Sequence, residues 1–119
     1  MPIQIRRIYD EPKRTDGYRV LIDRLWPRGL TKEAAAIDHW AKAIAPSNEL
    51  RKWYAHDPEK HAEFRKRYLK ELADNRDAID ALRSDWKESG KKTLTLLTST
   101  KDIELSHATV LVPIIEQHA

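Results

Sequence analysis

The chain has 119 residues, 40% hydrophobic and 34% charged, with 22 Lys+Arg, 19 Asp+Glu and no cysteine. That length accounts for a single domain, residues 1–119, with one core. The absence of cysteine excludes a disulfide scaffold, thiolate catalysis, Cys-ligated zinc and iron–sulfur clusters. No apolar run approaches the roughly 20 residues that cross a bilayer. The first residues carry the basic pair Arg6-Arg7 with no apolar stretch behind it, so no secretory leader is expected there. The expectation is a cytoplasmic globular protein without a membrane partner.

Residues 3–9 begin with period-two alternation and predict a first strand near a sheet edge. A polar loop follows over residues 10–17, marked by Pro12 and the turn pair Asp16-Gly17. Residues 18–25 have an unbroken Val20-Leu21-Ile22 centre, the pattern of a strand covered on both faces in a parallel sheet. Trp26-Pro27-Arg28-Gly29 stops it, because Pro27 has no N–H for the ladder and Gly29 accepts positive φ.

Helical segments are predicted for the next sixty or so residues. Thr31 caps a short turn through Ala36, and residues 38–45 are read as another, turning Ile37, Trp40 and Ile44 to the core. Ser47 is an N-cap with Glu49 in the first turn, on a helix carrying Leu50, Trp53 and Tyr54 and ending near His56. Asp57-Pro58 restarts the chain as cap and first helical residue. Phe64, Tyr68 and Leu72 form one apolar stripe, and Ile79, Leu82 and Trp86 the next, with a break at Asp74-Asn75 and a stop at Gly90. Residues 93–98 predict a third strand. Ala108, Leu111, Ile114 and Ile115 fit a C-terminal helix better than a strand over residues 110–112, although Pro113 costs such a helix about 3 kcal/mol.

The fold class that follows is α/β: a small three-stranded, mainly parallel sheet with a long helical crossover and a C-terminal helix. So long a crossover makes the second and third strands parallel and joined right-handedly. Ligands in such sheets bind beyond the carboxyl ends of the strands, which points to residues 23–29 and 99–102, the latter adjoining His107.

Charge favours the same region. Residues 1–32 hold eight basic and four acidic side chains, while the other 87 residues are net −1. Within that cationic quarter, Arg24 and Arg28 stand four apart beside Trp26. Two guanidiniums next to an indole can grip an anion bidentately and offer a stacking face. Arg51, Lys101 and Asp102 are further candidates for the ligand. Asp23, at a strand end, is the best placed carboxylate for proton transfer, and His56 the histidine best suited near neutral pH. The competing structural readings are an Arg paired with Asp23 or Asp38, a core Trp26, a core Tyr68, and His56 as part of a helix stop. The histidines are scattered without metal-ligand spacing, and no phosphate-loop, dinucleotide or nucleophile-elbow spacing occurs. No metal and no cofactor are expected.

The stretch Gly17-Tyr18-Arg19-Val20-Leu21-Ile22-Asp23-Arg24-Leu25-Trp26-Pro27-Arg28-Gly29 resembles the YeaO-like family, bacterial domain-of-unknown-function family 488. So do Ala45-Pro46-Ser47, Leu50-Arg51-Lys52-Trp53, His56-Asp57-Pro58, Phe64-Arg65-Lys66-Arg67-Tyr68 and Leu96-Leu97 followed by Lys101-Asp102. The resemblance covers most of residues 17–108. It implies a compact α/β domain of a bacterial or archaeal cytoplasmic protein and assigns no activity. It also implies an amide residue near position 107, where this chain has His107.

Three functional readings follow. The first is a site for a small phosphate- or carboxylate-bearing ligand, lined by Arg and Trp at the strand ends. The second is a nucleic-acid-binding module using the basic N-terminal quarter with Tyr18 and Trp26. The third is a homodimeric interaction protein whose arginines serve internal salt bridges. The sequence names no reaction.

Overall fold

The apolar centres of the two long buried strands require cover on both sides, and the computed structural model supplies it. It describes residues 2–55 and 57–117. Four strands form one sheet: β1 (Ile3–Arg7), β2 (Tyr18–Leu21), β3 (His39–Trp40) and β4 (Leu94–Thr98), in the order β1-β4-β2-β3. Every neighbouring pair is parallel, with Leu96 of β4 opposite Ile5 on one side and Val20 on the other. The α/β class, the parallel pairing of β2 with β4 and the edge position of β1 agree with the sequence pattern.

Side chains alternate between the two faces. One face presents Val20, Ile22, Leu94 and Leu96 to four helices: α2 (Asn48–Tyr54), α3 (His61–Asp74), α4 (Arg76–Ser89) and α5 (Ala108–Gln117). The expected stripes Phe64-Tyr68-Leu72 and Ile79-Leu82-Trp86 are the buried faces of α3 and α4. Each such Leu, Ile or Phe contributes about 1.5–3 kcal/mol by leaving water. Pro113 lies inside α5 on its exposed side, while Leu111 and Ile115 are buried, so packing outweighs the lost backbone hydrogen bond.

The other face carries a smaller core of Ile8, Leu21, Ala35 and Leu97 under the half-buried Trp26, Leu30, Ile37 and Trp40. Beside it lies a polar network centred on Asp16, which is 1% exposed. Its carboxylate accepts two hydrogen bonds from Arg6 Nη1, at 2.8 and 2.7 Å, one from Gln4 Nε2 at 3.3 Å, one from the Lys13 N–H at 2.9 Å, and one from Arg19 Nη1. Its carbonyl accepts the Thr95 hydroxyl at 2.6 Å. Arg19 also donates to the Ala35 and Ala36 carbonyls at the end of the short helix α1 (Lys32–Ala35). The next residue, Gly17, has φ +66°, and a Cβ there would stand 2.3 Å from the Thr93 carbonyl oxygen, so only glycine fits.

Two expectations need correction. The sheet has four strands, not three, because residues 38–45 are not a helical segment. His39–Trp40 instead pairs with β2, the Asp38 and Ala41 N–H groups donating to the Arg19 and Leu21 carbonyls, and a single 3₁₀ turn follows at Lys42–Ile44. The second strand also stops at Leu21 rather than at residue 25, since the chain leaves the ladder to place Asp23.

Burial pushes the Asp16 pKa up, but the hydrogen bonds from Lys13, Arg6 and Arg19 outweigh it and hold the carboxyl below its ordinary 3.8. Its contribution to stability is therefore complete above the unfolded-state value and is lost as pH falls through the folded one. Asp16→Asn leaves Arg19 buried without its counter-charge and is expected to cost about 3–5 kcal/mol in urea unfolding at pH 7. The variant should also lose part of the wild-type decline in stability below about pH 4. Parallel acid limbs in the two proteins would count against this account.

Candidate functional site

Beyond the carboxyl ends of β1, β2 and β4 the structure opens a cavity of about 420 Å³. It falls within the roughly 300–1,000 Å³ of small-molecule sites and lies where ligands bind in open parallel sheets. Asp23 forms its deep polar end, with a side chain only 14% exposed. The Thr98 hydroxyl donates to Asp23 Oδ1 and the Ser99 N–H to Oδ2, both at 2.8 Å. His107 Nε2 lies 3.6 Å from Oδ1 and 2.8 Å from the Ile22 carbonyl oxygen. A ring nitrogen that meets a carbonyl oxygen at that distance carries the proton and donates it.

Three arginines line the same cavity. Arg24 is half-buried and donates through Nε to the Pro46 carbonyl at 3.0 Å and through Nη2 to the Ala45 carbonyl at 3.2 Å. Those carbonyls are held in turn by Glu71 of α3, which accepts the Ser47 N–H at 2.9 Å and the Ser47 hydroxyl at 2.6 Å. Ser47 also caps α2, as expected, by accepting the Leu50 N–H. Arg28 and Arg51 are exposed at the mouth. Arg51 donates to Asn48 Oδ1 at 3.4 Å, and the Arg28 carbonyl accepts the Tyr9 hydroxyl at 3.0 Å. Among the described residues, none of the three is paired with a carboxylate.

Aromatic groups supply the apolar walls. Trp26 meets Trp40 edge to face at 5.3 Å and donates its indole N–H to the Leu30 carbonyl. Tyr54 stacks on Phe64 at 4.1 Å, and its hydroxyl donates to the Leu105 carbonyl. Burial raises the Tyr54 phenol above its ordinary 10.0, and the charges of Asp102 and Asp57 raise it further. Tyr68 is core, as its place in the stripe suggests: fully buried, it donates to the Ile44 carbonyl. Burial, then the nearby Glu71 and Asp23 charges, push its phenol well above 10.0.

Five of the residues singled out from the sequence thus come together: Asp23, Arg24, Trp26, Arg28 and Arg51. Lys101 and Asp102 are exposed on the loop beyond Thr100 and are not part of the lining. His56 lies outside the described residues. Tyr9, Tyr54 and Phe64 were missed as lining groups. Tyr9 had a usable signal, since it stands two residues past the end of β1, where the strand-end rule applies equally.

The charge asymmetry of residues 1–32 has a structural destination. Arg6 and Arg19 bind Asp16, Arg7 donates to the Ser99 and Thr100 carbonyls, and Arg24 binds the Ala45 and Pro46 carbonyls. Lys13, Arg14, Arg28 and Lys32 remain exposed. Among the described residues, no group of three His, Asp or Glu side chains stands close enough to hold a metal ion, and no helix is long and apolar enough to cross a membrane.

A family model described as the inactive DUF488-N3 subclade matches residues 2–119. The uncharacterized protein YeaO of Escherichia coli K12 is 46% identical over 111 residues, covering 93% of this chain and 94% of that protein. The chain belongs to the YeaO-like family. A further relative, the uncharacterized protein Rv3073c of Mycobacterium tuberculosis H37Rv, is 42% identical over 109 residues, 92% of this chain and 89% of its own. No solved structure matches the chain.

The Asp23 carboxylate ties the end of β2 to the end of β4, and the Thr98 hydroxyl is one of its two donors there. Hydrogen bonds to a charged group contribute about 1.5–3 kcal/mol. Thr98→Val, which keeps the shape of the side chain, is expected to lower stability by about that amount. The check is the urea midpoint at unchanged m-value; an unshifted midpoint would mean that Ser99 alone holds Asp23.

Proposed function

We propose that the protein binds a small anionic ligand, phosphate- or carboxylate-bearing, in the cavity at the carboxyl ends of the strands. The observation that carries this reading is the set of three guanidiniums, Arg24, Arg28 and Arg51, on one cavity without a carboxylate partner among the described residues. A guanidinium offers five N–H donors, and each of the three leaves most of them unused in the bonds described above. Arg24 is fixed by two carbonyls, so little side-chain entropy is lost when it meets an anion. Arg28 and Arg51, exposed at the rim, draw the anion in and close on it.

Binding without turnover suits the description of the matched subclade as inactive. In this reading Asp23, a catalytic candidate by sequence, holds the two strand ends together and faces the ligand. The nucleic-acid alternative rests on less charge than the sequence suggests, because three of the eight basic side chains of residues 1–32, Arg6, Arg7 and Arg19, are engaged away from the cavity.

Trp26 in the cavity wall makes the reading testable by fluorescence. Titration with inorganic phosphate, sulfate and citrate is expected to give a saturable change. Arg28→Ala should weaken it about tenfold, the loss of one charge-assisted contact at an exposed site. Arg14→Ala, an exposed arginine away from the cavity, should leave it unchanged. A response to a short oligonucleotide alone, falling steeply with salt, would transfer the function to nucleic-acid binding.

A further inference from the structure

The cavity is polar at both ends but with opposite sign. Arg28 and Arg51 are exposed at its mouth, whereas Asp23 is nearly buried at its inner end. A bare oxyanion driven inward would meet the Asp23 carboxylate, so an anionic head stays at the rim. The space behind it, in a cavity of about 420 Å³, is several times what one oxyanion fills. Whatever fills that space must present hydrogen-bond donors to a carboxylate and apolar faces to the rings of Trp26, Tyr54 and Phe64.

Asp23 has acceptor capacity for this. A carboxylate offers about four lone-pair sites. The Thr98 hydroxyl and the Ser99 N–H each take one, on different oxygens. The donor is a neutral one, because Arg24, the next residue and part of the same lining, repels a cationic head. Neutral donors on a compact ring with apolar faces, joined to an anionic head, describe a phosphorylated sugar.

Resting on the anion-binding reading above, we infer that the ligand is a sugar phosphate, free or as part of a nucleoside monophosphate. Its phosphate lies against Arg24, Arg28 and Arg51, and its ring hydroxyls donate to Asp23.

The test is calorimetric titration of the full chain with four probes. These are inorganic phosphate, ribose 5-phosphate, adenosine 5′-monophosphate and tetrahydrofurfuryl phosphate, which keeps the ring and phosphate but lacks the ring hydroxyls. Ribose 5-phosphate or the nucleotide is expected to bind at least about tenfold tighter than the hydroxyl-free analogue, the effect of one or two hydrogen bonds to a charged acceptor. Equal affinity for the two sugar phosphates assigns a free sugar phosphate; a tighter nucleotide assigns the nucleoside form. Asp23→Asn adds a sign reversal: affinity for ribose 5-phosphate falls to that of the analogue, while affinity for inorganic phosphate holds or rises because a repelling charge is gone. Should that variant not fold, the wild-type comparison of ribose 5-phosphate with its hydroxyl-free analogue decides alone. Equal binding of those two overturns the sugar assignment and leaves anion binding standing. No binding of any probe overturns both.

Discussion

The structure depends on one buried carboxylate. The connection from β1 to β2 must carry the chain back along the sheet, past the place where β4 lies between them, and it does so with only a single 3₁₀ turn, Arg14–Asp16, and no α-helix to pack there. Asp16 replaces that packing. Its side chain takes Arg6 from β1 and Arg19 from β2, and its carbonyl takes the Thr95 hydroxyl from β4. Three strands are thereby held to one crossing segment, and Gly17 lets the chain turn into β2 against the Thr93 carbonyl. A charge in that position is stable only because every partner is in place; any one missing leaves another buried and unpaired.

The opposite end of the sheet is built on a related plan with a different result. Asp23 also joins two strands, but it does so at the edge of a cavity rather than in the packed interior. Around it, rigid contacts place groups that are not themselves consumed. Glu71 fixes Ser47 and so presents the Ala45 and Pro46 carbonyls to Arg24. The Trp40 indole donates to the Asp23 carbonyl, which ties β3 to the site. The added strand is thus more than a widening of the sheet: it is what holds the backbone at Asp23 while the side chain turns to β4.

How much of this the sequence reveals follows from the range of each interaction. Ser47, Asp57, Gly90 and the two apolar stripes are legible because caps and helix faces involve residues within a few positions of each other. The run around Arg24 and Arg28 is legible through its density of chemistry and its place after a strand. Asp16 reads only as a turn residue, since beyond its neighbours Lys13 and Arg19 the partners that make it a junction stand at positions 4, 6 and 95. β3 is illegible for the same reason, because two residues have no periodicity and pairing with β2 alone makes them a strand. The inner wall of Tyr54 and Phe64 lies on helical faces that look like ordinary core, and the pair is indeed packed as core where it does not border the cavity.

The strand order has a consequence for how the molecule comes into being. β4 lies between β1 and β2 yet is made last of the four, with Gln4 and Thr95 hydrogen-bonded across 91 residues. At ribosomal speeds of about 5–20 residues per second, that interval lasts roughly 5–20 s. Throughout it, β1 and β2 have no central strand to join, and the Asp16 carbonyl lacks the Thr95 hydroxyl. β1 and β2 therefore belong to one sheet only once β4 lies between them. Non-local pairing of this kind folds slowly and exposes strand edges while it waits.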